Sequence, residues 1–166
     1  EAINESIGYR NRAISITEAQ VLQNIQIVQR GNELIESISI ERPKGEKSGY
    51  NLTIEMETGT GKTYTYIRTM YELHKHYGWS KYIIIVPSIA IREGVFKSFE
   101  ITQEHFQEIY WHKIKPFIYN SARPQDIESF ASDSRISVMI INTQAFNAKG
   151  ENARRIDMEL DQFGSR

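Results

Sequence analysis

Apolar residues first recur at helical spacing at Val21, Leu22, Ile25 and Val28, shortly after Thr17 and Gln20. Threonine followed three residues later by glutamine forms a capping box, so a helix is predicted from Thr17 to a stop near Gly31. Residues 32–50 then turn polar around Arg42, Pro43, Lys44 and Gly45, which reads as a surface loop, open to being a flexible insertion. A short β-prone run follows at Leu52, Thr53, Ile54 and Glu55. After a glycine-rich turn, Ile67, Met70, Tyr71 and His74 mark one helix stripe, and Gly78 ends it. Residues 82–86 (Tyr82, Ile83, Ile84, Ile85, Val86) form a continuous apolar run, the pattern of a parallel strand buried on both faces. Pro87 and Ser88 end that strand and a helix is predicted from Ile89. A third strand is read at Phe117, Ile118 and Tyr119. Pro124 then opens a helix with Ile127, Phe130 and Ala131 on one side. A fourth strand covers residues 137–142, and Ile156, Leu160 and Phe163 suggest a last short helix in the tail. Strands alternating with helices predict an α/β fold with a mostly parallel sheet of four strands.

Composition narrows the chemistry. The chain has 166 residues, 40% hydrophobic and 25% charged, which suits one ordinary domain with a single core. A formal net charge of -1 announces no overall basic field, although one local groove suffices to hold a nucleic acid. Cysteine is absent, which excludes disulfides, thiolate catalysis and cysteine-ligated metal centres. The longest apolar runs fall far short of the roughly 20 residues that span a bilayer, so no membrane partner is expected. Glu1 at the start and the loop-like close at Phe163, Gly164, Ser165 and Arg166 are expected of a piece of a longer protein.

The chemistry lies in Met56, Glu57, Thr58, Gly59, Thr60, Gly61, Lys62 and Thr63, between a predicted strand and a predicted helix. A polyphosphate needs several donors converging on one point. Gly59 and Gly61 let backbone N–H groups turn inward, and the helix that follows adds its positive dipole end. Lys62 would reach the β- and γ-phosphates of ATP, and the Thr63 hydroxyl would bind the Mg2+ that bridges them. The general phosphate-loop pattern has glycine where Met56 stands. The bland reading is a glycine turn with a solvated lysine. Glu57 reads as a solvated side chain, or as a water-mediated contact to magnesium. His74 and His76 sit two apart on a helix and point to different faces, so no metal site is expected there. Tyr64, Tyr66, Tyr71 and Tyr77 read as core and rim aromatics.

Residues 57–63 resemble motif I of superfamily 2 helicases and translocases. Together with the segments 83–94 (Ile-Ile-Ile-Val-Pro-Ser-Ile-Ala-Ile-Arg-Glu-Gly) and 138–147, they resemble more narrowly the motor (Res) subunit of type III restriction–modification enzymes. The resemblance covers the chain from about Thr17 onward. It implies the first part of a RecA-like P-loop domain, with residues 1–50 leading into the motor and residues 51–166 carrying motifs I, Ia and Ib. Thr58, Gly59, Thr60, Gly61, Lys62 and Thr63 would then hold ATP and Mg2+. Pro87 and Ser88 would fall at motif Ia, touching the DNA backbone, with Arg92 either adding charge or lying on a solvated helix face. Asn142, Thr143 and Gln144 would fall at motif Ib, where an Asn-Thr helix cap is the bland alternative. Gln20 has two readings: the glutamine that reads adenine in related motors, or simply the partner of Thr17.

The resemblance also implies parts that this sequence lacks. Related motors hydrolyse ATP with an Asp-Glu pair on a further strand of the same sheet; the chain contains no Asp-Glu dipeptide. A second motor domain and a nuclease domain are implied elsewhere in the same polypeptide. The implied partners are DNA and the modification methyltransferase subunit, in the cytoplasm. Two other readings stay open: another superfamily 2 DNA or RNA helicase, and a non-catalytic nucleotide-binding module that controls assembly.

Overall fold

The computed structural model describes residues 11, 13–42 and 49–146, and the tail helix read at Ile156 to Phe163 lies outside them. The described chain falls into two compact units, Ala13–Thr60 and a second from Gly61 onward that also includes Asn11.

The first unit is built on α1 (Glu18–Gly31). Its start has the expected capping box: the Thr17 hydroxyl accepts from the Gln20 N–H at 3.3 Å, and the Thr17 N–H donates to Gln20 Oε1 at 2.9 Å. Two of the orphan donors at a helix start are thereby satisfied. The polar stretch after α1 is tied back to it. Gln26 Nε2 donates to the Ser37 carbonyl at 2.9 Å, the Ser37 N–H donates to Gln29 Oε1 at 2.8 Å, and Arg42 pairs with Glu18. Residues 43–48 lie outside the described chain.

The strand read at 52–55 does not form. Residues 52–57 have no regular structure, and Leu52 and Ile54 are 62% and 78% exposed. The ladder contact beside this run is a single antiparallel bridge between Asn51 and Glu41. A β-prone run becomes a strand only when a second backbone lies alongside it.

The second unit is a parallel sheet of three strands: β1 (Lys81–Val86), β2 (Lys115–Ile118) and β3 (Ser137–Asn142), in the order β1-β3-β2. The central strand is β3, and all six of its residues are buried. Its side chains alternate between two layers. Val138 and Ile140 enter a core with Ile67, Met70, Tyr71, Val95, Phe99 and Phe106, drawn from α2 (Lys62–Tyr77) and α3 (Ile89–Tyr110). Met139 and Ile141 face the other way and pack with Tyr119 and Ile127, the latter from α4 (Gln125–Ser132).

Strand β1 differs from the expectation of burial on both faces. Tyr82, Ile84 and Val86 belong to the α2/α3 layer, but Ile83 and Ile85 are 43% and 53% exposed. The reason is position: β1 is an edge strand, and α4 covers the far face only opposite β3 and β2. Edge strand β2 carries Lys115 and Pro116, residue types that blunt an edge. Strand β1 has neither beyond its first residue. At its base the outer edge is closed by a side chain: Asn11 Oδ1 accepts from the N–H groups of Ser80 and Lys81 at 2.8 and 2.9 Å, and its Nδ2 donates to the Lys81 carbonyl at 2.6 Å.

A charged clamp gathers the strand starts. Lys81 Nζ donates to the carbonyls of Asp133 and Arg135. Asp133 accepts from Arg135 at 2.6 Å and pairs with Lys115 at 3.6 Å. Arg135 holds the Asp133 carboxyl far below the usual carboxylate range.

Candidate functional site

The glycine loop is an exposed turn that runs straight into a helix. Thr58 and Gly59 form its bend, and Thr60 is tied back through its hydroxyl to the Glu57 carbonyl at 2.6 Å. Gly59 and Gly61 have φ of +82° and +90°, a region open to glycine and strained for other residues. A Cβ at either position would meet nothing within 4 Å. Backbone conformation, not crowding, therefore explains both glycines, and the space beside them is open to a ligand.

Gly61 is the residue before α2, whose first turn has no capping side chain and no acidic residue. The N–H groups at such a start favour an anion. Lys62 is exposed and Thr63 half-buried, on the first two positions of that helix. A cation, a hydroxyl and a helix start thus follow one another, with two left-handed glycines just before them. This donor set fits a nucleotide phosphate with its magnesium ion. The compact units divide between Thr60 and Gly61.

The parallel register sets the second cluster. Val86 pairs with Asn142, so Pro87 and Ser88 leave the sheet at the same edge as Thr143 and Gln144. The other end of α2 reaches β1 through the short turn 78–80, while Ile67 packs in one core with Val86. A 16-residue helix is about 24 Å long and a six-residue strand about 20 Å. The start of α2 therefore lies toward the edge where Ser88 and Thr143 stand. This is the edge at which open parallel sheets bind ligands.

Ser88 caps α3, its hydroxyl accepting from the Ile91 N–H at 3.3 Å. That role leaves the hydroxyl proton available to a phosphate oxygen. The Arg92 side chain is only 20% exposed and pairs with Glu93 at 2.9 Å, so any contact to DNA has to compete with that carboxylate. Thr143 is half-buried and Gln144 exposed at the start of the short α5 (Thr143–Phe146), while Asn142 is buried beneath them. In the first unit, Gln20 uses its carboxamide oxygen in the capping box.

Two hollows are not lined by these glycines. One, of about 330 Å³, is lined by Phe96, Phe117, Arg123 and Phe130 between α3, β2 and α4. The other, of about 470 Å³, runs along the outer face of α2 from Tyr64 to Tyr77. Among the described residues no cluster of three or more His, Asp or Glu is placed to hold a metal ion. Burial keeps His74 below its ordinary pKa, while its Nδ1 bonds the Trp79 carbonyl at 2.9 Å. No described helix is long and apolar enough to cross a membrane.

Tyr66, read from the sequence only as a core or rim aromatic, packs against the core as read, but the reading gave its hydroxyl no role. Its hydroxyl is buried against the Thr63 side chain without a hydrogen bond of good geometry. A tyrosine three residues after the phosphate-loop threonine, on the same helix face, was the available signal.

The model of the type III restriction enzyme Res subunit matches residues 13–164. The chain is 34% identical to the EcoPI Res subunit of Escherichia phage P1, over 86% of this chain and 16% of that protein. It is 33% identical to the EcoP15I Res subunit of Escherichia coli, over 84% of this chain and 16% of the relative. With the StyLTI Res subunit of Salmonella typhimurium it shares 38% identity over 66% of this chain and 13% of the relative. The chain thus spans about one sixth of the length of the first two relatives. A loop with left-handed Gly59 and Gly61 opening α2, a parallel α/β sheet consistent with a partial RecA-like domain, and a match along nearly the whole sequence agree: the chain belongs to the Res subunit family of type III restriction enzymes, whose helicase-like superfamily 2 motor it carries in part.

Proposed function

We propose that this chain is the ATP-binding part of a DNA-dependent ATPase and translocase motor in a type III restriction endonuclease. The observation that carries the reading is the run from Gly59 to Thr63, two left-handed glycines leading into an uncapped helix start with Lys62 and Thr63 in its first turn. Thr58, Gly59, Thr60 and Gly61 supply backbone donors to the phosphates, Lys62 balances their charge, and Thr63 offers its hydroxyl to Mg2+. The ion, when bound, neutralises charge between the β- and γ-phosphates. Gln20 is the adenine-facing candidate, through the amide nitrogen that takes no part in the capping box.

Pro87, Ser88, Thr143 and Gln144 serve the DNA backbone, supported by the shared edge that the Val86–Asn142 pair creates. Arg92 joins them only by sharing its guanidinium with Glu93. In the complete cytoplasmic enzyme, residues 51–166 form the first part of the motor. The Asp-Glu strand completes the sheet, and the partners are the second motor domain, the nuclease domain and the modification methyltransferase subunit.

The test is DNA-stimulated phosphate release and ATP-dependent DNA cleavage by the complete enzyme. Lys62→Ala should abolish both. Undiminished cleavage by that variant would refute the reading.

A further inference from the structure

Tyr66 carries a feature that the phosphate-loop reading does not use. Its ring packs against the main core, and its hydroxyl oxygen is fully buried without a hydrogen-bond partner. Buried hydroxyls are nearly always paired, and leaving one unpaired costs stability. The group beside it is the side chain of Thr63, one helical turn earlier. Side chains on a helix lean toward its N-terminus, so the Tyr66 ring reaches back over the turn that holds Thr63.

We propose that Tyr66 is a positioning residue for Thr63: Thr63 Oγ1 donates its proton to Tyr66 Oη, which turns the threonine oxygen's lone pairs toward the magnesium ion of the bound nucleotide. This rests on the phosphate-loop reading above and deepens it. Threonine on a helix divides between two side-chain rotamers, and an acceptor on one side selects one of them. Groups that bind a metal are commonly held by such an outer partner, and losing it weakens the ion about 10- to 100-fold. Coordination would make the threonine proton more acidic and so a better donor to the waiting oxygen. The unpaired hydroxyl is then a place kept for the ligated state.

The test uses thermal melting of the full chain with ATP in EDTA and with ATP over a magnesium titration. Tyr66→Phe removes the oxygen and keeps the ring. It should melt at or above the wild-type temperature without ligand, and take the same shift from ATP in EDTA. It should need about tenfold more magnesium for half of the magnesium-dependent shift. In a Thr63→Ala background, Tyr66→Phe should raise the magnesium requirement no further. Equal magnesium midpoints in wild type and Tyr66→Phe would overturn the proposal. So would a further loss in the Thr63→Ala background, or an equal drop in melting temperature under every condition, which marks a purely structural role. A wild type that takes no shift from nucleotide in any condition would instead remove the phosphate-loop reading, and this proposal with it.

Discussion

Val86 and Asn142 stand opposite each other as the last residues of two parallel strands, so the segments after them emerge at one edge of the sheet. Ser88 on one side and Thr143 on the other each begin a helix there. The Ser88 oxygen caps α3, which leaves its hydroxyl proton free to be donated. Ser88→Ala should cost about 1 kcal/mol in urea denaturation through the lost cap. Ser88→Asp should keep the cap and most of the stability, yet lose DNA stimulation of the complete enzyme's ATPase by like-charge repulsion. Wild-type DNA stimulation in Ser88→Asp would remove this serine from the DNA interface.

Lys62 is exposed, so Lys62→Ala should change ligand-free stability by less than about 1 kcal/mol. The difference should emerge with ligand. MgATP at a hundredfold excess over Kd stabilises the wild type by about 2.7 kcal/mol, and the variant should gain much less. Equal ligand-induced melting shifts in the two proteins would move the phosphate site elsewhere.

The chain holds no Asp-Glu dipeptide to orient an attacking water. Purified on its own, it should release no phosphate from ATP above background, with or without DNA. DNA-stimulated release would mean that a carboxylate within these residues does that work.

Strand order sets the cost of core truncations. Ile140 is fully buried on β3, whereas Ile83 on β1 is 43% exposed. Ile140→Ala should destabilise by about 2–5 kcal/mol, and Ile83→Ala by clearly less. Urea denaturation of both variants reads this directly, and similar losses would contradict an edge position for β1.

Asp133 links pH to stability. Its side chain is 12% exposed, and Arg135 holds its folded pKa well below the unfolded value of 3.8. The carboxylate then contributes stability that is fully present above that value and is lost as pH falls through it toward the folded pKa. Asp133→Asn should be less stable than wild type at pH 7, with the gap closing progressively below about pH 4. Urea midpoints at pH 7, 5 and 3 check this; a gap of constant size would show that the charge is not the cause.

Local signals in the sequence carried far. Thr17 and Gln20 announced a cap that forms as read, because capping is settled within four residues. Gly59 and Gly61 announced a glycine turn into a helix, and it forms with left-handed backbone and an uncapped helix start, because these are properties of the chain itself. The apolar run 137–142 coincides with β3. What composition leaves open is which apolar run is central. Residues 82–86 and 137–142 look alike as strings, yet one lies at the edge and the other in the middle. That choice depends on which backbones pair across long stretches of sequence, as does the fate of residues 52–55, which have β propensity and form no strand. The Tyr66 hydroxyl makes the same point at atomic scale: its burial beside Thr63 follows from how α2 packs on the sheet and α3, and only the assembled core creates it.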